Sequence, residues 1–558
     1  MSGAGPTRGA PRPLGWLRDY RRADLAGDVG AGVVVAMMMI PQGMAYALVA
    51  GLPPVAGLYA SIVPPLLYAL FGTSSTQSVG PMAIISLMTA SALAPLASPG
   101  SALYGMLAAQ LALLSGAVLL ACGLLRVGFL ANFFSRPVMN GFTLGSAIVI
   151  ALGQLRTLLG AALPHPHVPS AVLGLGSIAL LLFARRALAP LLCRLGLPGA
   201  AADVAARLAP MALVLGGIAL VAGLGLDRAG VQVIGSVPAG LPRLAFDASV
   251  AHWPDLFKAA SLIGFMSFLI AMSGAQALAL KRSETLHTDR ELVALGLANA
   301  GSALSGGFPV TGSLSRSAVN FAAGARTQLA GVITAALLAG ALVLPTGWLA
   351  LLPLPVLAAT IIVAVLGMLD WTTLRTAWRY DRADALALLA TAGGVLLLGV
   401  EAGVVLGLLL SLGTMIWRES RPHIAVLGRI PHTEHFRNVD RHTVETAPRV
   451  LLLRVDAGLF FGNIEAVTRR IEDELAAHPD ARELVLVLSA VNAIDSSALF
   501  GLLDLNRGLA RRGVRLHFAE VKGPVLDRLR ASALPGELSG RVFLSTANAW
   551  DALARHDV

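Results

Sequence analysis

Two short stretches carry the residues that could do chemistry. One is S-V-G-P-M-A-I-I-S-L, Ser78 to Leu87. The other is P-V-T-G-S-L-S-R-S-A-V, Pro309 to Val319. Each passes through extended or polar residues, reaches a glycine and turns helical. A helix start presents unpaired N–H groups and the positive end of the helix dipole, so it is an anion site. Gly80-Pro81 opens the first helix, with proline suited to the first helical position. Gly312-Ser313 opens the second, and Ser313 suits its cap. Arg316 follows within one turn, a cation inside an apolar run. Such an arginine either draws an anion to the site or ties backbone carbonyls and neighbouring helix ends together. Ser313 and Ser315 either donate to an anion or serve capping and helix packing.

The elements around these stretches are those of a membrane bundle. The chain has 558 residues, 56% hydrophobic and only 13% charged, with a mean hydropathy of +0.73. Soluble domains sit near a quarter charged. No Asp, Glu, Lys or Arg occurs from Val29 to Leu125. Met1 to Asp24 is Arg- and Pro-rich and lacks the apolar run of a cleaved signal peptide. From Leu25 to Ser420 the pattern gives fourteen spans, near 27–50, 52–72, 76–96, 101–125, 133–155, 169–188, 205–226, 255–281, 291–307, 310–324, 327–351, 353–370, 383–400 and 402–418. The third and tenth, which hold the two stretches, are too short for full helices. Broken backbone in hydrocarbon survives only where protein buries it or a polar cavity takes it in. Two breaks at corresponding places in two halves point to a midplane substrate site. They follow the second and ninth spans, as seven spans repeated with inverted topology require (about 25–226 and 255–420).

Charge orients the bundle. With both termini cytoplasmic, Arg18, Arg21, Arg22, Arg126, Arg185, Arg186, Lys281, Arg282, Arg326, Arg375, Arg379 and Arg418 fall inside. Arg156, Arg228 and Arg243 fall outside. The net charge of +10 therefore marks loops rather than a nucleic-acid surface.

Further candidates sit in the first span, M-M-M-I-P-Q-G-M-A-Y, Met37 to Tyr46. Pro41 is expected to kink it. Gln42 and Tyr46, four residues apart, share one face and read as cavity lining; the alternative is an amide and a phenol bonded across helices. The methionine run reads as packing. His165 and His167 form an outer-loop pair without further ligands, so no metal site is expected. Cys122 and Cys193 give neither a disulfide framework nor metal spacing. No cofactor motif and no nucleophile arrangement appears, so an enzyme is not expected.

After Arg421 the composition becomes that of a soluble α/β domain, taken as residues 430–558. Val450–Val455, Leu484–Leu488 and Val514–Ala519 read as strands. Ile464–Ala477 and Ala498–Arg512 read as amphipathic helices.

Taken in order, these motifs resemble the sulfate permease (SulP) family of anion transporters. The resemblance rests on I-P-Q-G-M-A-Y-A-L-V-A-G-L-P-P-V-A-G-L-Y-A-S (Ile40 to Ser61), F-G-T-S-S (Phe71 to Ser75), V-G-P-M-A-I-I-S-L-M (Val79 to Met88), E-L-V-A-L-G-L-A-N (Glu291 to Asn299), G-G-F-P-V-T-G-S-L-S-R-S-A-V-N (Gly306 to Asn320) and A-G-A-R-T-Q-L-A-G (Ala323 to Gly331). It implies a core and a gate domain built from two inverted seven-span repeats, a C-terminal STAS domain and a homodimer in the bacterial inner membrane. It implies transport of a small anion of the sulfate, bicarbonate or C4-dicarboxylate class, as a proton-coupled symporter, with an exchanger or a passive channel as the alternative. The resemblance places substrate on Gln42, Tyr46, Gly80, Met82, Ala83, Gly312, Ser313, Leu314, Ser315 and Arg316. Ile270 departs from the family, which often has an acidic residue there, so the coupling-ion residue is not identified. In S-A-V-N-A-I-D-S-S-A-L, Ser489 to Leu499, Asp495 or a serine is expected to cap the following helix. Ser496 or Ser497 matches the serine phosphorylated in anti-anti-sigma factors, so capping alone and phosphorylation are both open.

Overall fold

The computed structural model describes residues 14–554 apart from 19, 130–134, 161–166, 236–237, 243–250, 345 and 368. His165, Arg243 and the first part of the N-terminal segment lie outside them. The chain divides into two compact units at Ser411/Leu412.

The first unit is helical. In chain order it holds α1 (Leu25–Val49), α2 (Pro54–Tyr59), α3 (Val63–Phe71), β1 (Val79–Gly80), α4 (Ala83–Leu93), α5 (Ala102–Leu124), α6 (Arg136–Leu159), α7 (Val168–Phe183), α8 (Ala189–Arg194) and α9 (Gly199–Leu224). Then come α10 (Trp253–Arg282), α11 (Thr288–Leu304), β2 (Thr311–Gly312), α12 (Leu314–Ala322), α13 (Leu329–Val343), α14 (Leu354–Leu366), α15 (Trp371–Tyr380), α16 (Arg382–Leu398) and α17 (Val400–Glu419), within which the division falls. Every segment read as a span holds helix. By length and composition, eight helical stretches among the described residues can cross a membrane; α4 and α13 are shorter apolar helices. The second span is not one helix, because α2 and α3 are separated by a turn at Ala60–Ile62. The sixth continues through a π-helical turn into α8.

Local chemistry sets several ends. Ser101 Oγ accepts from Tyr104 N at the start of α5, and Asp370 Oδ1 accepts from Thr372 N at 2.9 Å at the start of α15. Gly160 and Gly225 close α6 and α9 in the left-handed conformation.

The helices pack in two groups whose apolar cores touch, since Phe142 of α6 and Val395 of α16 share a cluster with residues of α5, α10 and α11. In one, α5 lies against α10 and α11, α11 against α3, and α13 and α12 against α1. Here α5 and α11 touch at Gly116 and Gly296. A Cβ on Gly116 would sit 2.7 Å from the Gly296 carbonyl oxygen, so only small residues allow this approach. In the other, α6 lies against α14 and α16, and α14 against α7. The first group carries both broken segments.

The second unit contains β3 (Ile424–Arg429), β4 (Phe436–Asn438), β5 (Val450–Val455), α18 (Ile464–Ala477), β6 (Glu483–Val487), α19 (Ser496–Arg511), β7 (Arg515–Ala519), α20 (Gly523–Arg530), β8 (Val542–Phe543) and α21 (Thr546–Leu553). Its sheet runs β4-β3-β5-β6-β7-β8, with β5 to β8 parallel and β3 antiparallel. Strand β3 lies ahead of residue 430, so the sheet begins earlier than the sequence suggested.

His517 pins the outer edge of this sheet. It is 2% exposed. Its Nε2 lies 2.7 Å from Glu483 Oε2, and its Nδ1 accepts from Arg541 N at 2.9 Å. An acceptor Nδ1 fixes the neutral tautomer, with Nε2–H donating to the carboxylate. Burial holds the imidazole pKa below its ordinary value despite the Glu483 carboxylate; Arg515 and Arg541 push in the same direction as burial. The unfolded state therefore takes up this proton more readily. The His517 contribution to stability is present above the unfolded value of about 6.5 and is lost as pH falls through the lower folded value. Protection against amide exchange in 539–543, taken relative to the intrinsic rate at each pH, should fall on acidification from pH 7 to 5. In His517→Phe this protection should already be low at pH 7 and show a smaller pH dependence.

Candidate functional site

The site grows from a strand crossing. Val79 pairs with Gly312 and Gly80 with Thr311, antiparallel. Opposed chain directions are what an inverted repeat demands of equivalent segments. The seam extends beyond the two strands, along a chain at 72–80 that runs beside α12. Gln328 Nε2 donates to Gly72 O at 2.6 Å, Asn320 Nδ2 to Thr76 O at 3.0 Å, and Ser78 N to Ser317 Oγ at 2.9 Å. Ser313 N then donates to Ser78 O at 3.0 Å. Helix α10 braces the crossing from one side. Ser267 O accepts from Thr311 Oγ1 at 2.6 Å and Ala271 O accepts from Gln77 Nε2 at 3.2 Å. A Cβ on Gly312 would fall 1.8 Å from Gln77 Nε2, so any side chain there would displace this brace.

Both half-helices start at the crossing. Ser313 is the N-cap of α12, and its Oγ accepts from Arg316 N at 3.5 Å and lies 3.2 Å from Ser315 Oγ. The start of α4 differs from the sequence reading. Met82 is the N-cap and Ala83 the first helical residue, so Pro81 stands before the helix rather than in its first position. The reason is that Val79 and Gly80 are held in strand and the Pro81 carbonyl accepts from Arg316 Nη1 at 2.8 Å. No side chain caps α4, although Ala83, Ile84 and Ile85 are buried. Among the described residues no side chain takes up its first-turn N–H groups.

Arg316 is 1% exposed, and its Nε and Nη2 have no hydrogen-bond partner among the described residues. Buried guanidinium nitrogens without acceptors are costly unless an acceptor arrives. A Cβ on Gly80 would fall 2.2 Å from Met39 Cε and 3.6 Å from Arg316 Nη2, so the glycine lets Met39 close over the strand next to that nitrogen. Tyr46 is buried on α1 within electrostatic reach of Arg316, and Gln42 is half-buried one turn earlier. Neither side chain makes a hydrogen bond among the described residues. Met82 and Ser313 are buried, whereas Leu314 is 45% exposed and Ser315 is exposed. The site is thus closed on the α4 side and open on the α12 side. Ile270 is half-buried against the apolar core, one turn before Gly274, whose Cβ position lies 3.2 Å from Leu314 Cα.

Several residues here escaped the sequence reading: the Pro81 carbonyl, Gln77, Thr311, Ser317 and Asn320. Their signal was polarity within apolar runs. Of the other candidates, His167 Nδ1 lies 2.9 Å from Ser170 Oγ and its Nε2 3.0 Å from Ala229 O, so the ring is engaged in local structure. Asp495 Oδ1 accepts from Ala498 N and its Oδ2 from Phe461 N. Ser496 and Ser497 are exposed at the start of α19.

Residues 25–391 match the sulfate permease family and residues 441–549 the STAS domain. The chain belongs to the sulfate permease family. "Probable sulfate transporter Rv1739c" of Mycobacterium tuberculosis is 35% identical over 559 residues, covering 97% of each chain. "Sulfate transporter 4.1, chloroplastic" of Arabidopsis thaliana is 34% identical over 520 residues, covering 90% of this chain and 76% of that one. Both carry transporter names. In fold, the chain is similar to the murine Slc26a9 anion transporter, solved in an inward-facing state, with a TM-score of 0.87 at 21% identity, covering 98% of this chain and 94% of that one. It is also similar to the transmembrane domain of the cyanobacterial bicarbonate transporter BicA, with a TM-score of 0.59 at 23% identity, covering 69% and 98%. As a member of this family the protein is a multi-pass membrane transporter of small anions, with a C-terminal STAS domain.

Proposed function

We propose that this protein is a secondary active transporter of the sulfate class in the bacterial inner membrane, with both termini cytoplasmic. Substrate is held between the starts of α4 and α12 and released by rocking of one helix group against the other. The observation that carries this reading is the pair of unpartnered nitrogens on buried Arg316, beside the uncapped start of α4. A tetrahedral oxyanion can accept from both guanidinium nitrogens and from the first-turn N–H groups of Ala83, Leu314 and Ser315. Gly80 and Gly312 let Met39 and Gln77 pack onto the crossing, Ser313 and Ser315 supply hydroxyls, and Gln42, Tyr46 and Met82 form the wall.

Ile270 contributes no carboxylate to balance Arg316, which supports a doubly charged anion. The partners proposed are the anion, a coupling proton, the bilayer and a second copy of the chain. No cofactor enters the scheme. Exposed Ser496 or Ser497 at a helix start would accept a phosphate favourably, which supports regulation there.

Uptake of labelled sulfate, bicarbonate and a C4-dicarboxylate into proteoliposomes tests this. Sulfate should accumulate uphill with an inward proton gradient and show trans-stimulated exchange. Movement that only dissipates the sulfate gradient under every ion condition would establish a channel or uniporter instead.

A further inference from the structure

We propose that Arg282 is a positioning residue for the anion site, acting through the two chains that end there. This inference rests on the site reading given above.

Arg282 ends α10, and its side chain is 17% exposed. It touches three elements at once. Nη1 donates to Ser75 Oγ at 3.1 Å, on the chain leading into β1. Nη2 donates to the Ala325 carbonyl, just beyond α12. The guanidinium plane lies over the Phe321 ring of α12, 4.7 Å from its centroid. Glu284 completes the cluster. Its Oε1 accepts from Ser75 Oγ at 2.5 Å and lies 3.8 Å from Arg282 Nη1. One planar fork therefore ties the lead-in of one half-site to the far end of the helix carrying the other.

The geometry transmits. Ser75 stands five residues before Gly80, roughly 17 Å along an extended chain. Phe321 stands five residues after Arg316, about 8 Å along a helix. Between these points, Asn320 and Ser317 hold the lead-in to α12, so there is little slack. Loss of the fork leaves the Asn320 and Ser317 bonds as the remaining ties between the lead-in and α12, and the lead-in before Thr76 gains freedom relative to the end of that helix. The Pro81 carbonyl, which orients Arg316 through Nη1, shifts with the lead-in. A lysine supplies the charge but not the two-pronged planar contact.

The test compares the full-length protein with Arg282→Gln, Arg282→Lys, Ser75→Ala and Arg316→Ala, measuring sulfate binding by titration calorimetry and transport KM and kcat in proteoliposomes. Arg282→Gln should weaken sulfate binding by roughly 2- to 30-fold and raise KM, and Arg282→Lys should not restore it. Ser75→Ala keeps the buried charge and should move affinity the same way by a smaller factor, which covers the case in which Arg282→Gln fails to fold. Full rescue by lysine would mean long-range charge attraction and overturn the proposal. So would unchanged affinity with a lowered unfolding temperature, which would make Arg282 purely structural. If Arg316→Ala also leaves affinity unchanged, the anion site itself is misplaced and this inference falls with it.

Discussion

Arg316→Ala should weaken sulfate binding at least tenfold, and up to about 150-fold, while the purified protein stays folded. The range follows from a hydrogen bond to a charged group, about 1.5–3 kcal/mol. Folding should survive because the anion-free protein gains little from this side chain. Its Nη1 bond to Pro81 O is set against two buried nitrogens that lack acceptors. Arg316→Lys should fall between, since an ammonium keeps the charge and loses the fork. Equal affinity in wild type and Arg316→Ala, with both folded, would show that Arg316 only ties the two half-helices together.

The second large effect is expected at Glu291, which is fully buried at the start of α11. Its Oε1 accepts from Thr73 N and Thr73 Oγ1, both at 2.6 Å, and from Ser74 N at 3.2 Å; its Oε2 accepts from Tyr68 Oη at 2.7 Å. The carboxylate thus fixes the chain that leaves α3 and becomes the lead-in to β1. Glu291→Ala strands these donors in a buried place, at an expected cost of about 3–5 kcal/mol. Glu291→Gln keeps an acceptor for the Thr73 and Ser74 N–H groups and should cost clearly less. Thermal unfolding in detergent of the three proteins should rank wild type, Gln, Ala. Indistinguishable unfolding temperatures would mean that Glu291 is not what holds this chain. Asp28 makes a similar clasp on the other half, accepting from Arg326 N, Thr327 N and Thr327 Oγ1.

The two clasps show where sequence reading stops. The apolar segments and the two short ones were legible because composition and length decide them. So was the Ser313 cap, a matter of local spacing. The start of α4 was misplaced by two residues, because a partner more than 200 residues away holds Val79 and Gly80 in strand. Glu291 stood inside a quoted motif, yet nothing local says that its carboxylate reaches the chain at Thr73. In the STAS domain Ile464–Ala477 was readable from its amphipathic period. Strand β8, two residues long, has no period to read. His517 looked like an ordinary strand residue until Glu483 and the Arg541 amide appeared on either side of its ring.

Selenate, a sulfate analogue with an anomalous scatterer, offers the most direct test of an anion held between two helix starts. A crystal of the protein soaked in selenate should show one strong anomalous peak between Ala83 and Ser315, within hydrogen-bond reach of Arg316 Nε and Nη2, and the peak should vanish in Arg316→Ala. A peak elsewhere in the helical unit, or one that persists in Arg316→Ala, would contradict the account.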